Sequence, residues 1–441
     1  MFFACVVCKT THCLLRLLGF GATALPGVLA LKICPDILEY AAKNVKIVAV
    51  TGTNGKTTSC RMIERALTET GAEVCANRSG ANLMGGVAAA LIMNMRLSLG
   101  VKCAFAVLEC DEAACRRVLG KIKPEVLVVT NLFRDQLDRY GSVERPRDCI
   151  AKGLSQSPDT IAVVNADCPM AASIAGMIRN KTVWFGSDCG KSSGIGSGED
   201  DRCPKCGGRL SYGSVSYANL GNFSCACGFA RKKPDYCISA LLPEGGMVLK
   251  TPSGSAVCKL GLPGVYNAYN AAGCIAAAVS MGCDAEAAVH AVGDFDCGCG
   301  RMEDFPLGKR GARMILIKNA AAADQTLEQV RSFNGSKSVV LAINDRTADG
   351  TDISWLDDAD FGKLARTKEL KNVYVCGDRA ETAAKRLERE NICCKSFKNY
   401  DKLIKELKNE DAFIFVLPTY TAMMLLRKQL TDELGGKKFW Q

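Results

Sequence analysis

Histidine is almost missing from this chain: there are two among 441 residues, His12 and His290. A thiol or hydroxyl nucleophile needs an imidazole or an equivalent base beside it. His12 lies in the N-terminal segment, and His290 sits at helical spacing in AEAAVHAVG, where packing is its expected role. Chemistry built on a Cys–His or Ser–His pair within this chain is thereby set aside. Long apolar runs are also scarce. Within residues 1–31 the longest uncharged stretch, Leu17–Leu31, holds three glycines and Pro26 between Arg16 and Lys32, whereas a membrane helix takes about 20 apolar residues. No small-residue cleavage pattern marks a signal peptide. The expectation is an amphipathic helix ending near Pro26 that packs in the core, with contact to a membrane surface as the alternative; no transmembrane segment is expected. Dense basic blocks are missing too. The net charge of +10 is spread along the chain, which disfavours nucleic acid and suits small anionic substrates.

What is abundant is cysteine, 25 residues in all. Most, such as Cys60, Cys75 and Cys274, fall in apolar patterns where a thiol acts as a small buried hydrophobe. With 48% hydrophobic and 23% charged residues the chain is globular, and its length calls for two or three domains. A thiol-rich chain of this kind belongs in a reducing, cytoplasmic compartment.

Residues 46–58 read KIVAVTGTNGKTT. An apolar run ends in Gly52, Thr53, Asn54, Gly55, Lys56, Thr57 and Thr58, and an amphipathic segment follows to about Gly71. Strand, glycine loop and helix together wrap a polyphosphate with backbone N–H groups and a helix N-terminus. Lys56 is expected on the outer phosphates and the Thr57 hydroxyl in a magnesium shell. The spacing is tighter than the general GxxxxGK[ST] pattern, yet the chemistry is that of a nucleoside triphosphate site.

Strand-like runs recur at Lys46–Thr53, Cys103–Cys110, Glu125–Leu132, Thr160–Ala166 and Thr182–Gly186, with helical stretches between. That alternation predicts an α/β domain with a mostly parallel sheet. Residues 187–202 form a polar Gly/Ser linker that opens an insertion. A second α/β series follows at Met314–Asn319, Ser338–Asn344, Asn372–Asp378 and Asp411–Pro418, with helices over Glu381–Glu390 and Thr421–Leu434. The boundary is placed near residues 298–310, giving a nucleotide-binding domain over 1–300 and a C-terminal domain over 305–441.

In the insertion, at about 200–230, Cys203-Pro204-Lys205-Cys206-Gly207-Gly208 has the form of a zinc knuckle, and Cys225-Ala226-Cys227-Gly228 would complete a four-cysteine site. Four thiolates leave no open position, so the role of Zn2+ would be structural. Glu109, in VLECDEA, ends the second strand-like run where a carboxylate can hold Mg2+ against the β- and γ-phosphates; Asp111 and Glu112 are alternatives. Asn131-Leu132-Phe133-Arg134-Asp135-Gln136-Leu137-Asp138 follows the next run at the carboxyl edge, where such sheets bind ligands.

Together these residues carry a resemblance. TGTNGKTT, Glu109, the NAYNAA segment (Asn267 to Ala272) and GRME (Gly300 to Glu303) resemble the Mur ligases and folylpolyglutamate synthetases. The insertion CPKCGG…CACGF, NLFRDQLDRYG, DGTDISW and LPTYTAM are similar to one branch, the MurT synthetases of lipid II isoglutaminyl synthase, from about residue 35 to residue 430. The resemblance implies a Mur-ligase-type ATPase domain with an inserted zinc ribbon and a C-terminal α/β domain. It implies ATP-dependent amidation of the D-glutamate α-carboxylate of the lipid II stem peptide, through an acyl phosphate. Ammonia would come from a separate GatD-type glutaminase in a heterodimer, at the cytoplasmic face of the membrane where the substrate resides. Asn267, Asn270 and Arg301 look like the family's nucleotide-contacting residues, with ATP, Mg2+ and Zn2+ as cofactors.

The shortage of histidine fits that division. In the family the Cys–His pair lies on the glutaminase, and an acid of the synthetase C-terminal domain orients the histidine. In Asp349-Gly350-Thr351-Asp352-Ile353-Ser354-Trp355 the matching acid is Asp352, with Asp349 its rival. Two departures stand out. The family's KNPAG-like segment reads Lys318-Asn319-Ala320-Ala321-Ala322, and Asn222 occupies a position where His is common. An amino-acid-adding Mur ligase or folylpolyglutamate synthetase is the alternative. It would need a substrate domain of about a hundred residues before the P-loop, which is not expected with the loop beginning at residue 52.

Overall fold

Short apolar runs separated by helices have one economical arrangement, a parallel sheet whose crossovers cover both faces. The computed structural model describes residues 1–18, 22–77, 81–133, 144–192, 201–243, 245–262, 264–295 and 301–434, with Arg301 and Leu434 described by backbone alone. It divides into two compact units, one of Met1–Phe133 with Ser142–Phe295 and one from Asp296 onward.

In the first unit β1 (Lys46–Thr51), β2 (Val74–Ala76), β3 (Phe105–Glu109), β4 (Val126–Val129), β5 (Ile161–Asn165) and β6 (Thr182–Ser187) run parallel. The insertion forms its own antiparallel sheet of β7 (Lys191–Ser192), β8 (Ser211–Tyr217) and β9 (Leu220–Ser224). The chain then returns through β10 (Tyr236–Leu241), parallel to β6, and an antiparallel hairpin of β11 (Met247–Thr251) and β12 (Gly254–Cys258). The nine-stranded order is β12-β11-β10-β6-β5-β4-β1-β3-β2. β1 therefore sits between β3 and β4, where the winding reverses, and the carboxyl edge beside it is the crevice such sheets leave for ligands.

Pro26 does not end the first helix. The chain forms two helices, Phe2–Leu17 and Leu25–Ile33, and Pro26 sits in the first turn of the second. There its missing N–H removes a donor that has no partner within the helix anyway. This second helix crosses Met84–Asn94 so closely that a Cβ on Gly27 would lie 1.9 Å from the Gly85 carbonyl oxygen. His290 also departs from expectation. It is 72% exposed and faces Asp294 at 3.5 Å, because its helix, Ala285–Gly293, buries Ala288, Val289, Ala291 and Val292 instead.

The second unit is a six-stranded sheet in the order β13-β14-β18-β15-β16-β17. Its strands are β13 (Arg301–Phe305), β14 (Ala312–Ile315), β15 (Lys337–Ala342), β16 (Leu370–Cys376), β17 (Lys395–Ser396) and β18 (Phe413–Pro418). β13 alone is antiparallel. One face packs on helices Ala320–Ser332 and Ala380–Glu388, the other on Tyr400–Leu407 and Tyr420–Leu434. Within this unit Glu303 is bidentate to buried Arg427 at 2.7 and 2.9 Å. The Lys318–Ala322 departure has a structural outcome. Asn319 caps the helix through the Ala322 N–H (2.9 Å) and the three alanines form its first turn, as a strong N-cap before the best helix former should.

Gly27→Val forces a side chain into the Gly85 and Ala89 backbone. It is expected to cost about 1–3 kcal/mol and to lower the melting temperature in calorimetry. Gly176→Ala, at a site with nothing within 4 Å, should leave the temperature unchanged.

Candidate functional site

The loop after β1 is held in a shape that only glycine permits. Gly52 and Gly55 have φ of +128° and +86°, in the left-handed region. A Cβ on Gly52 would lie 2.3 Å from the Thr130 hydroxyl, and one on Gly55 would lie 2.3 Å from the Asn270 Oδ1. The loop is pinned to the end of β4 as well. The Thr53 N–H donates to the Asn131 carbonyl (2.8 Å) and the Asn54 N–H to the Asn131 Oδ1 (2.9 Å). The Thr130 hydroxyl (2.7 Å) and the Asn131 amide (3.2 Å) donate to the Asn54 carbonyl. Helix Lys56–Thr68 then begins at once, with Thr58 buried in its first turn.

The three acids that sequence left as alternatives separate by what they touch. The Thr57 hydroxyl donates to Glu109 Oε2 at 2.6 Å, and the Asn82 amide to Oε1 at 3.1 Å. Glu112 instead accepts from the Lys56 ammonium at 2.8 Å. Asp111 accepts from the N–H groups of Ala113 and Ala114 at 3.1 and 3.3 Å, stabilising the turn that leads to helix Cys115–Ile122. Burial works to lower the Lys56 pKa. The carboxylates of Glu112, Glu109 and Asp111 outweigh it and hold the ammonium above its ordinary value, so it stays a full cation. Thr57 and Glu109 are thus the pair that could share a hard divalent ion, with Lys56 the adjacent positive charge.

Asn270 and Asn267 lie buried on helix Val265–Ser280, their amides 3.5 Å apart. The Asn77 side chain spans the Glu109 backbone, accepting from its N–H (2.7 Å) and donating to its carbonyl (2.8 Å). Sequence reading missed Asn77, Asn82 and Thr130. The available signal was position: Asn77 and Thr130 directly follow the carboxyl ends of β2 and β4, and Asn82 precedes the helix Met84–Asn94 that comes after β2. The Arg301 side chain and residues 134–138 lie outside the described residues.

The four thiols of Cys203, Cys206, Cys225 and Cys227 meet, every sulfur within 4.8 Å of the others. The Cys203–Cys227 and Cys206–Cys225 separations are 3.7 and 3.5 Å. A tetrahedral ion with about 2.3 Å bonds to sulfur needs edges of about 3.8 Å, so the donor set fits. Gly207 and Gly228, at φ +74° and +83°, turn the two knuckles. The Gly208 N–H points at the Cys206 sulfur (3.4 Å). The Phe229 N–H leads in pulling the Cys227 thiol down to about 7. A small core of Leu210, Tyr212 and Phe223 sits beneath. Asp167, wholly buried, ties the insertion to the sheet: it binds Arg231 (2.5 Å), the Tyr269 hydroxyl (2.5 Å) and the Ser187 N–H (2.7 Å).

In the second unit the two rival acids differ. Asp349 is consumed internally: its carboxylate accepts from the Thr421 N–H (2.6 Å), the Thr421 hydroxyl (2.5 Å) and the Arg346 N–H (3.1 Å). Asp352 is half-buried and accepts the Ser354 N–H at 2.8 Å through Oδ1.

Known proteins resemble this arrangement along its whole length. Residues 50–199 match the Mur ligase middle domain and residues 316–423 the MurT ligase C-terminal domain. The lipid II isoglutaminyl synthase (glutamine-hydrolyzing) subunit MurT of Streptococcus pneumoniae is 32% identical over 433 residues, 96% of each chain. The subunit of the same name from Staphylococcus aureus is 31% identical over 426 residues, 96% of this chain and 95% of its own. The chain belongs to the MurT family. Its fold is that of the Mur ligases: a pseudomurein peptide ligase type C from Methanothermus fervidus superposes with a TM-score of 0.70 at 22% identity, over 90% of this chain and 80% of that one. As a MurT family member the chain is a ligase, and the four-cysteine insertion fits a zinc ribbon.

Gly55→Ala is expected to abolish Mg–ADP binding in calorimetric titration while circular dichroism stays unchanged. The new methyl meets Asn270 and the residue must hold a φ that L side chains avoid.

Proposed function

We propose that this chain is the synthetase subunit of a glutamine-dependent amidating ligase. It uses ATP to convert the D-glutamate α-carboxylate of the lipid II stem peptide to D-isoglutamine. The observation that carries the reading is the Thr57–Glu109 pair beside Lys56 at the carboxyl edge of β1 and β3, in a chain that matches MurT subunits end to end.

A carboxylate is a poor electrophile, so its oxygen first attacks the γ-phosphorus of ATP and ADP departs. Ammonia then attacks the acyl carbon, phosphate leaves, and the nitrogen loses a proton. Loop N–H groups and Lys56 stabilise the charge that gathers on the migrating phosphoryl group. Thr57 and Glu109 would hold Mg2+, which supplies positive charge at the phosphate oxygens when bound. Asn270 lies against Gly55 of the loop with Asn267 beside it on the same helix, and Asn267, Asn270 and Arg301 are assigned to the nucleotide by resemblance. Cys203, Cys206, Cys225 and Cys227 hold a structural Zn2+. The protein works in the cytoplasm, at the inner face of the membrane that carries its substrate.

Ammonia comes from a GatD-type glutaminase subunit: among the described residues neither histidine is hydrogen-bonded to a thiol, His12 meeting the Ala22 carbonyl at 3.2 Å and His290 facing Asp294 at 3.5 Å. Asp352 is the acid that orients the partner's histidine. Asp349 is already committed to Thr421 and Arg346, which favours its rival.

With the glutaminase present, Asp352→Asn should cut glutamine-driven amidation by up to about 10⁴-fold, the scale of losing a tautomer-fixing carboxylate, and spare amidation driven by added ammonia. Lys56→Ala should lose both. Equal loss of both activities in Asp352→Asn would move Asp352 to the synthetase site, and retained activity in Lys56→Ala would sink the P-loop assignment. Asp349→Asn should instead lower the melting temperature.

Elemental analysis of protein purified without chelator is expected to find one zinc per chain, and none in Cys206→Ser. In that variant protease sensitivity should rise around residues 201–230 while Mg–ADP binding persists, because a closed site takes no part in chemistry.

A further inference from the structure

The first two helices carry the most anomalous surface of the chain. Helix Phe2–Leu17 turns its small residues inward: Ala4, Cys5 and Cys8 are buried, and Lys9 reaches the Met93 carbonyl at 3.2 Å. Its outward stripe, repeating every three to four residues, is Phe3, Val6, Val7, Thr10, Leu14 and Leu17, with no charge among them. Phe3, Leu14 and Leu17 are 66%, 60% and 83% exposed. Leu25, Val28 and Ile33 are exposed on the helix packed beside it. A helix serving only the core would turn such a stripe inward, and apolar surface of this kind marks a contact site. Core packing alone, expected from sequence, therefore accounts for just one side of this helix.

Charge selects the occupant. The first acidic residue of the chain is Asp36, while Arg16 and Lys32 stand at the ends of the two helices. An apolar face on two helices that carry Lys9, Arg16 and Lys32 and no acid complements the headgroup–acyl boundary of an anionic bilayer, where leucine and phenylalanine insert and Arg or Lys meets phosphate. No helix among the described residues is long and apolar enough to cross a membrane, so this one would lie in the interface plane. We propose that helices Phe2–Leu17 and Leu25–Ile33 dock the chain on an anionic phospholipid surface, with the Phe3–Leu14–Leu17 stripe inserted. Helix Ile37–Ala42 leads from there directly into β1, so docking holds the P-loop unit at the bilayer.

Flotation of the full chain with phosphatidylglycerol vesicles, and with phosphatidylcholine vesicles alone, tests this. The chain should float with phosphatidylglycerol, less with phosphatidylcholine, and less at high salt. Leu14→Ser with Leu17→Ser should lower the partition coefficient by about tenfold or more, and Arg16→Glu should weaken binding to phosphatidylglycerol only. Unchanged melting temperature and Mg–ADP affinity establish that these variants fold. The proposal is overturned if the unaltered chain does not float, or if the serine pair floats equally well. It is also overturned if the unaltered chain sediments as a dimer that the serine pair dissociates, since the stripe would then belong to a second copy. Vesicle binding is read without ATP or peptide substrate, so its failure is distinct from failure of the amidation reading.

Discussion

Between β1 and the helix that follows, the backbone must pass close to two other elements, the end of β4 and helix Val265–Ser280. Gly52 clears Thr130 and Asn131, and Gly55 clears Asn270, in conformations that a Cβ would both strain and obstruct. The arrangement of the first unit follows from this close approach. Helix Val265–Ser280 has to reach the loop, β4 has to end beside it, and β3 has to deliver Glu109 to Thr57. The parallel sheet makes that possible by bringing the carboxyl ends of β1, β3 and β4 into one row.

Charge in the site is arranged in the same economical way. One cation, Lys56, is held among Glu112, Glu109 and Asp111 at a depth where burial alone would lower its pKa. The three acids divide the work: one grips Lys56, one faces Thr57, and one shapes the following turn. The buried Asp167–Arg231–Tyr269 contact serves the insertion comparably, fixing the residues after the cysteine knuckles to the main sheet. Burial raises the Asp167 pKa even with Arg231 and Tyr269 beside it. Removing either partner would leave a poorly compensated buried acid.

Much of this was legible in one dimension because the chemistry is local. A glycine loop after an apolar run, two cysteine knuckles and strand–helix alternation are each written in consecutive residues, and their elements appear within a few residues of the expected places. Asn319 followed by four alanines is equally local, an N-cap and a helix start. What misled was position relative to neighbours. His290 reads as packing because it sits in an apolar helix, but which side of that helix faces the core depends on what lies against it.

By itself the sequence determined that a glycine loop between strand and helix, a four-thiol cluster and a second α/β unit exist, because spacing along the chain dictates backbone turns and side-chain type dictates chemistry. Only the tertiary structure gave Glu109, Asp111 and Glu112 their different partners, brought Asn77, Asn82 and Thr130 beside them and the loop, and tied Asp349 to Thr421 while Asp352 meets Ser354. It also turned the apolar stripe of the first helix outward. These are questions of which groups meet across long stretches of chain. A carboxylate's role depends on the hydrogen bonds that have already claimed it, and those partners are chosen by the fold.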